Sequence, residues 1–190
     1  IRECGYEIVS KVTKTNGQIE ICFDDAFRGL YDNIEFIKEN YIPINLFVVP
    51  FFVNKKNYMD KKQLLNLDKS ELIRISSHTF SHKVLSQISE KEVYSELKNS
   101  KEYLEKLLVR EVDSICFPEG KFDVKTIHIA DKLGYKKQYS SIPGFFSNSF
   151  SNSVIKRSLV QFARDKEFRA ILKGGDHILA PWYFFKHFKK

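Results

Sequence analysis

Short apolar runs alternate with longer segments of helical periodicity along this chain of 190 residues. The apolar runs suit strands that end in polar residues, and they lie at 19–25, 44–49, 72–77, 114–117, 136–140 and 154–160. Helices are predicted at 27–40, 60–67, 124–133 and 165–173, and a longer one begins after Ser89, where Glu92 completes a capping box. Strands that alternate with helices favour an α/β fold with a mainly parallel sheet. Periodicity alone leaves an open sheet and a barrel as alternatives.

Composition limits the class of protein. Hydrophobic residues make up 43% and charged residues 29% of the chain, as in ordinary soluble globular proteins, and the length favours one domain over residues 1–190. The formal net charge of +7 would suit an anionic partner. However, the basic residues are spread along the chain apart from the tail at 186–190, and no nucleic-acid motif accompanies them. We therefore interpret the charge as an aid to solubility and expect no nucleic-acid partner.

The three cysteines, Cys4, Cys22 and Cys116, are far apart and form no Cys-x-x-Cys pair. This argues against a disulfide framework or a structural zinc site, and the last two are expected to be buried small hydrophobic residues. Nothing resembles a signal peptide or a transmembrane segment, so a cytoplasmic location is preferred to export. Because the chain begins with Ile1 rather than Met, an export signal could precede it, and localisation stays open. The oligomeric state is not constrained.

Two adjacent carboxylates, Asp24 and Asp25, close the first candidate strand. Neighbouring side chains of a strand point in opposite directions, so the two carboxylates are not expected to act on the same atom. The carboxyl ends of parallel strands are where α/β proteins place their sites. There, one Asp can hold a metal while the other approaches a bound water. Taken alone, such a pair is more often a cap for the helix that follows.

His78 and His82 follow the candidate strand at 72–77 with i, i+4 spacing. A single helical turn would put both imidazoles on one face, about 6 Å apart, where they can share one tetrahedral ion. Two histidines, one carboxylate and an open position for water form a ligand set of catalytic zinc sites. The spacing alone also arises by chance on surface helices. An Asp pair and a His pair that each end a strand together predict a metal site.

Three motifs occur in order along the chain. Residues 22–26 read Cys-Phe-Asp-Asp-Ala, residues 78–82 read His-Thr-Phe-Ser-His, and residues 118–120 read Pro-Glu-Gly. They resemble the Thr-Phe-Asp-Asp-Gly, His-Ser/Thr-x-x-His and Pro-Tyr/Phe-Gly motifs of the polysaccharide deacetylases, carbohydrate esterase family 4. The resemblance covers residues 5–175. It looks most like the branch of biofilm and surface-polysaccharide N-deacetylases, which lacks the Arg that other branches have at the position of Cys116.

The resemblance implies a fold, a metal and several roles. The fold would be a distorted, incomplete (β/α) barrel of about seven strands. One divalent metal ion, zinc or alternatively cobalt or nickel, would be bound by Asp25, His78 and His82. Asp24 would be the general base that takes a proton from the attacking water. The backbone N–H of Glu119 would stabilise the oxyanion, a role that does not depend on the side chain.

Other positions depart from the family pattern or match it less closely. Arg157, at the end of Ile-Lys-Arg, is similar to an Arg near the site in this branch and would orient Asp24. Ala26 stands where the family has Gly, and this substitution requires an unstrained φ at Ala26. Cys22 replaces a Thr, and neither replacement removes a chemical group that the reaction needs.

The general acid is the least defined role. Many family members supply it from a Leu-x-His motif near the C-terminus, which this chain lacks. His177 follows Asp176, and an Asp-His pair could be tuned for acid work, although a polar loop is the more ordinary interpretation. His128, within a predicted helix, and His187, in the basic tail, are weaker candidates.

Together these features predict a metal-dependent hydrolase that removes N-acetyl groups from an amino sugar of a bacterial surface or extracellular polysaccharide. The 17 Phe and 9 Tyr are expected mostly in the core, and some could line a groove for the N-acetylated glycan. An O-acetyl esterase that uses the same site is one alternative. A catalytically silent glycan-binding module with the same fold is another. The intact Asp and His pairs argue against the silent module, because a pure binder needs neither a metal triad nor a free base.

Overall fold

The computed structural model describes residues 1–144 and 154–177. Two short parallel strands, β1 (Glu7–Ile8) and β2 (Gln18–Ile19), pair with each other. Within these ranges the main sheet has six strands, all parallel and adjacent in chain order. They are β3 (Ile21–Phe23), β4 (Ile44–Val48), β5 (Ile73–Ser77), β6 (Ser114–Cys116), β7 (Lys137–Tyr139) and β8 (Val154–Ile155).

Helices separate most of these strands. They are α1 (Arg28–Asp32), α2 (Ile34–Glu39), α3 (Lys61–Asp68), α4 (Glu90–Leu108), α5 (Val124–Lys132) and α6 (Asp165–Leu172). A parallel sheet in which each strand pairs with the next one in the chain is singly wound, as in a (β/α) barrel. Here β3 and β8 form the two ends of the sheet. The prediction of an α/β fold with a distorted, incomplete (β/α) barrel is confirmed.

The side chains of the strands alternate between the helix-facing core and the inside of the barrel. On β4, Leu46 and Val48 belong to the core beneath the helices, whereas Phe47 between them packs inside. The inner cluster draws residues from different strands, namely Cys22, Phe47, Cys116, Tyr139 and Ile155. This alternation is the period-two pattern of strands with both faces covered.

A polar layer lies inside the barrel beside that cluster. Glu20 accepts hydrogen bonds from Asn45 Nδ2 and the Tyr139 hydroxyl, both at 3.1 Å. Asn45 Oδ1 in turn accepts one from Ser76 Oγ at 2.7 Å. Burial raises the pKa of the Glu20 carboxyl, and the two hydrogen bonds to it oppose that rise. These bonds link residues on or beside β3, β4, β5 and β7 through the interior.

Arg157 and Asp24 join the two ends of the sheet. Asp24 directly follows β3, Arg157 comes two residues after β8, and the guanidinium Nη1 and Nη2 donate to the two carboxylate oxygens at 2.8 Å each. The same guanidinium donates from Nε to the Ser140 carbonyl at 3.1 Å and lies 5.0 Å from the centre of the Phe47 ring. A two-pronged ion pair therefore bridges the seam of the incomplete barrel.

Most predicted elements are confirmed, with ends that move by one or two residues. Asp60, Ser89 and Asp123 cap their helices through side-chain bonds to backbone N–H groups, and Gly134 follows α5 with φ 84°. All three cysteines are free. No helix within the described ranges is long and apolar enough to cross a lipid bilayer.

Three element predictions are wrong. The helix predicted at 27–40 is two helices that meet at Asn33 (φ −110°, ψ 18°). The side-chain amide of Asn33 donates to the Gly29 carbonyl at 2.8 Å, and such local bonding competes with a continuous helix. The strand predicted at 19–25 is divided between β2 and β3 and ends before Asp24. The strand predicted at 154–160 ends at Ile155, and the N–H of Arg157 then donates a hydrogen bond to the Ile142 carbonyl.

A double-mutant cycle with Arg157→Met and Asp24→Asn tests the bridge across the seam. Because this pair is two-pronged and largely shielded from water, we expect a coupling energy of about 1–3 kcal/mol in the free energy of urea unfolding of chelator-treated protein. The matched control is the exposed pair Asp165 and Arg169, whose Nε and Oδ2 atoms lie 3.0 Å apart. Its coupling should stay below about 1 kcal/mol. Equal coupling in the two cycles would contradict the bridging role.

Glu20→Gln tests how much the buried carboxyl of Glu20 lowers the free energy of unfolding when it ionises. The pKa of Glu20 is raised in the folded state, so its contribution to stability is fully present at acidic pH and is lost as the pH rises through that pKa. The free energy of unfolding of Glu20→Gln should therefore rise relative to wild type between about pH 4 and about pH 8. The exposed Glu35→Gln is the control. A difference between Glu20→Gln and wild type that is constant over this range would show that burial does not perturb Glu20.

Candidate active site

The carboxyl ends of β3 and β5 bring the predicted site residues together. Asp24 and Asp25 follow β3, and His78 follows β5. The strand between them, β4, pairs with both, so the two chain segments leave the sheet on either side of its end. This is the edge at which parallel sheets place their functional groups.

The carboxylate of Asp25 lies between the two histidines. Its Oδ1 is 3.5 Å from His82 Nε2 and 3.9 Å from His78 Nε2, and one ligand atom from each of the three residues lies within 4.8 Å of the others. In the part of the chain that the structure describes, Asp25 Oδ1 is buried and accepts no hydrogen bond. A buried oxygen without a partner is costly, and a cation held by the three side chains would satisfy it. The set therefore fits a divalent metal with nitrogen and oxygen ligands.

The tautomer of His78 is fixed by a backbone group. Its Nδ1 lies 2.8 Å from the Cys116 carbonyl oxygen, and because a carbonyl only accepts, Nδ1 carries the hydrogen. The lone pair of Nε2 is then left on the side of Asp25. Burial lowers the pKa of His78, which favours the neutral form that metal binding needs.

The prediction that a helical turn aligns His78 and His82 is wrong. β5 ends at Ser77, and the segment 78–82 is a loop in which Thr79 and His82 have positive φ, 62° and 65°. The two imidazole centres nevertheless lie 4.9 Å apart. The loop folds back on itself because Thr79 Oγ1 accepts a hydrogen bond from the N–H of His82 at 3.1 Å. A strained loop, and not a helix, brings the pair together.

A buried carboxylate from α4 holds this loop. Glu96 accepts hydrogen bonds from the N–H and Oγ of Ser81 at 2.8 and 2.6 Å. The predictions from sequence do not include Glu96, although a signal for it exists. It lies on the buried stripe of α4, three residues after Val93 and four before Ser100. A charged residue at such a position indicates a polar partner from another segment.

Asp24 contacts the same cluster but is held by Arg157. Its Oδ2 lies 3.9 Å from His78 Nε2. Burial opposes ionisation of Asp24, whereas His78 and the hydrogen bonds and charge of Arg157 favour it, and the balance lowers its pKa to about 2. The hydrogen bonds and charge of Arg157 thus help to keep Asp24 ionised despite its burial. The structure thus brings Arg157 against Asp24, which is the contact that the resemblance implies.

A second set of possible ligands, Asp24, His78 and Cys116, also lies within 4.8 Å. It suits a metal less well, because both oxygens of Asp24 already accept hydrogen bonds from Arg157. Burial also raises the pKa of the Cys116 thiol well above its usual value, whereas a metal requires the thiolate. Asp25, His78 and His82 are therefore the better ligand set.

The turn after β3 is strained where the two carboxylates diverge. Asp25 and Ala26 have positive φ, 67° and 58°, so the expectation of an unstrained φ at Ala26 is wrong. A left-handed backbone costs an L residue about 1–2 kcal/mol. The turn is held by the buried Ala26, whose carbonyl accepts a hydrogen bond from the N–H of Met59 at 3.0 Å. The turn places the Asp24 side chain against Arg157 and the Asp25 side chain between the two histidines.

Glu119 lies on the turn Pro118–Gly120, directly after β6. It has φ 55°, and its carboxylate lies 2.8 Å from Lys121 Nζ. Gly120 follows with φ 65°, and a Cβ at this position would lie 3.0 Å from the backbone nitrogen of Ser141. The turn therefore requires glycine there. The role of the Glu119 N–H in oxyanion binding stays a prediction.

The candidate acids lie in different parts of the chain. His177 comes after α6, and its Nε2 lies 3.6 Å from Asp176 Oδ1. His128 is exposed on α5, whereas His187 and the rest of the tail at 186–190 lie outside the described residues. The assignment of His177 as general acid stays a prediction.

Comparison with known proteins adds a family to this geometry. The family model described as polysaccharide deacetylase matches residues 11–137. The Bacillus subtilis protein YxkH is 25% identical over 125 residues, which cover 65% of this chain and 44% of that protein. A Staphylococcus aureus poly-beta-1,6-N-acetyl-D-glucosamine N-deacetylase is 25% identical over 170 residues, which cover 82% of this chain and 58% of that protein. The chain thus spans about half the length of these curated relatives.

The fold is also found among solved structures. IcaB from Ammonifex degensii superposes with a TM-score of 0.79 at 17% identity, over 90% of this chain and 84% of that chain. At that identity the likeness shows a shared fold. Because the family match covers more than half of the sequence and includes the Asp and His motifs, the protein belongs to the polysaccharide deacetylase family.

Proposed function

We propose that this protein is a metal-dependent hydrolase that removes N-acetyl groups from an amino sugar of a bacterial surface or extracellular polysaccharide. The observation that carries the proposal is the buried oxygen of Asp25, which lies without a hydrogen-bond partner in the described structure between two histidines. Beside it, Arg157 donates hydrogen bonds to both oxygens of the Asp24 carboxylate. The Staphylococcus aureus relative, of which this chain spans 58%, is named for N-deacetylation of poly-N-acetylglucosamine and supports the substrate class.

Asp25, His78 and His82 would hold one divalent ion. Two imidazoles and a carboxylate suit zinc best, and cobalt or nickel accept similar donors. Such an ion, when bound, lowers the pKa of a water molecule and polarises the acetyl carbonyl. The Cys116 carbonyl keeps His78 in the tautomer that presents Nε2 as a ligand. Glu96 and Ser81 keep the loop of His82 in place.

Asp24 would accept the proton of the attacking water. It is ionised at neutral pH, and Arg157 fixes both of its oxygens beside the ligand residues. A carboxylate with a pKa of about 2 is a weak base, so it works only with an acidified proton donor and a short transfer distance. Its Oδ2 lies 3.9 Å from His78 Nε2, beside the proposed metal site.

The remaining steps need an oxyanion donor and a proton for the leaving amine. Hydrolysis adds the water oxygen to the acetyl carbon and breaks the C–N bond, so acetate leaves and the sugar nitrogen takes up a proton. The N–H of Glu119 is the proposed oxyanion donor. Its turn follows β6, the strand whose Cys116 carbonyl binds His78. His177, beside Asp176, is the proposed proton donor.

Asp24→Asn and Asp25→Asn should separate the base from the ligand. Asp24→Asn deletes the proton acceptor, so it should keep stoichiometric zinc and lose acetate-releasing activity by on the order of 10²- to 10⁴-fold. Asp25→Asn should lose zinc as well. Elemental analysis after incubation with zinc and gel filtration measures the metal, and an acetate assay measures the rate.

The control is Asp165→Asn at the exposed start of α6, which should change neither zinc content nor rate. Exchanged phenotypes of the two site variants would reverse the assigned roles. Stoichiometric zinc in a His78→Ala, His82→Ala double variant would contradict the metal site itself.

A further inference from the structure

The two histidines of the proposed metal site are held in different ways. His78 is fixed through its ring, because Nδ1 lies 2.8 Å from the Cys116 carbonyl oxygen and the side chain is only 3% exposed. The side chain of His82 is 28% exposed, and within the described residues its ring makes no hydrogen bond to a backbone group. His82 is held instead through its N–H, which donates to Thr79 Oγ1 at 3.1 Å. The position of its imidazole therefore depends on the conformation of the loop at 78–82.

That loop does not hold its conformation by itself. Thr79 and His82 have positive φ, 62° and 65°, and a left-handed backbone is unfavourable for residues with side chains unless surrounding contacts impose it. The hydrogen bond between Thr79 and His82 lies within the loop, so it cannot fix the loop relative to the barrel. An anchor from another element is needed.

Glu96 on α4 supplies this anchor. Its carboxylate accepts hydrogen bonds from both the N–H and Oγ of Ser81, the residue before His82, at 2.8 and 2.6 Å. Glu96 is only 7% exposed, so water competes little for these bonds, and hydrogen bonds to a carboxylate are stronger than those between neutral groups. Because two oxygens bind two groups of one residue, they fix the orientation of Ser81 as well as its distance from α4.

A second contact between α4 and this segment is weaker. Lys83 Nζ lies 3.5 Å from Glu92 Oε1, and the two side chains are 47% and 51% exposed. Ion pairs that are open to solvent in this way contribute little to stability. Glu92 also accepts a hydrogen bond from Ser89 Oγ at the cap of the helix, at 2.7 Å. Glu96 is therefore the contact with α4 on which the loop mainly depends.

We propose that Glu96 is a positioning residue that makes His82 a metal ligand and thereby sets the affinity of the site for its divalent ion. This inference rests on the proposed function and adds to it a residue that acts through Ser81 and takes part in no chemical step. Groups that orient metal ligands typically change metal affinity by about 10- to 100-fold when they are removed. Without Glu96, His82 is the ligand that is released, whereas His78 stays fixed by the Cys116 carbonyl.

Glu96→Ala tests the inference through the zinc affinity of chelator-treated protein, measured by competition with a chromophoric chelator. The Kd for zinc should rise by about 10- to 100-fold. Glu96→Gln should recover most of this loss, because its amide oxygen can still accept a hydrogen bond from the Ser81 N–H. Ser81→Ala should weaken binding less than Glu96→Ala does. In the double variant the two losses should not add, because both changes remove the same contact.

The matched control is Leu108→Ala at the other end of α4. Leu108 lies on the buried side of the helix and is 8% exposed, so its truncation should lower the Tm through lost core packing. The zinc Kd of this variant should stay at the wild-type value. An equal loss of zinc affinity in Leu108→Ala would make Glu96 a general support of the fold and would overturn the inference.

The measurements separate this inference from the proposed function. A wild-type zinc Kd in Glu96→Ala would overturn the inference and leave the proposed hydrolase as it stands. If wild type binds zinc and Glu96→Ala binds it weakly, the inference is supported even where wild type releases no acetate, and only the proposed hydrolase fails. Absence of zinc binding by wild type would overturn the metal site, and the role of Glu96 with it.

Discussion

The ion pair between Arg157 and Asp24 links the fold to the chemistry. It joins the two ends of a barrel that has no strand-to-strand pairing between β3 and β8 among the described residues. The same pair favours the ionised form of Asp24 despite its burial, because His78 and the hydrogen bonds and charge of Arg157 lower the pKa of its carboxyl. Loss of Arg157 would therefore loosen the seam of the barrel and change the charge of the proposed base at once.

Two adjacent carboxylates serve different partners because the backbone turns between them. If both residues lay in a strand, its alternation would point Asp24 and Asp25 in opposite directions. However, β3 ends at Phe23, and the two side chains point to different partners because Asp25 and Ala26 have positive φ. This strained turn is fastened to the loop after β4 at Met59. The proposed metal ligand is consequently held by contacts between two loops at this end of the sheet.

Features that depend on local sequence were predictable, and those set by distant contacts were not. Strand and helix positions follow from periodicity and caps, as the capping box of Ser89 and Glu92 illustrates. A metal site formed by the Asp pair and the His pair was predictable from their positions after strands, whereas the choice of Asp25 as the ligand came from the family resemblance. The conformation of the loop at 78–82 was not predictable, because it depends on hydrogen bonds to Glu96 on α4, which lies further along the chain. The contact of Arg157 with Asp24 was expected only by resemblance, since 133 positions separate the two residues.

Acetate release from an N-acetylglucosamine oligosaccharide, measured with chelator-treated and with zinc-loaded protein, tests the central claim most directly. The buried oxygen of Asp25, which accepts no hydrogen bond within the described residues, predicts that release is lost on chelation and restored when one equivalent of zinc is added. Release at the same rate by metal-free protein, or no release by protein that carries a full equivalent of zinc, would contradict the assignment of this cluster as the catalytic metal centre.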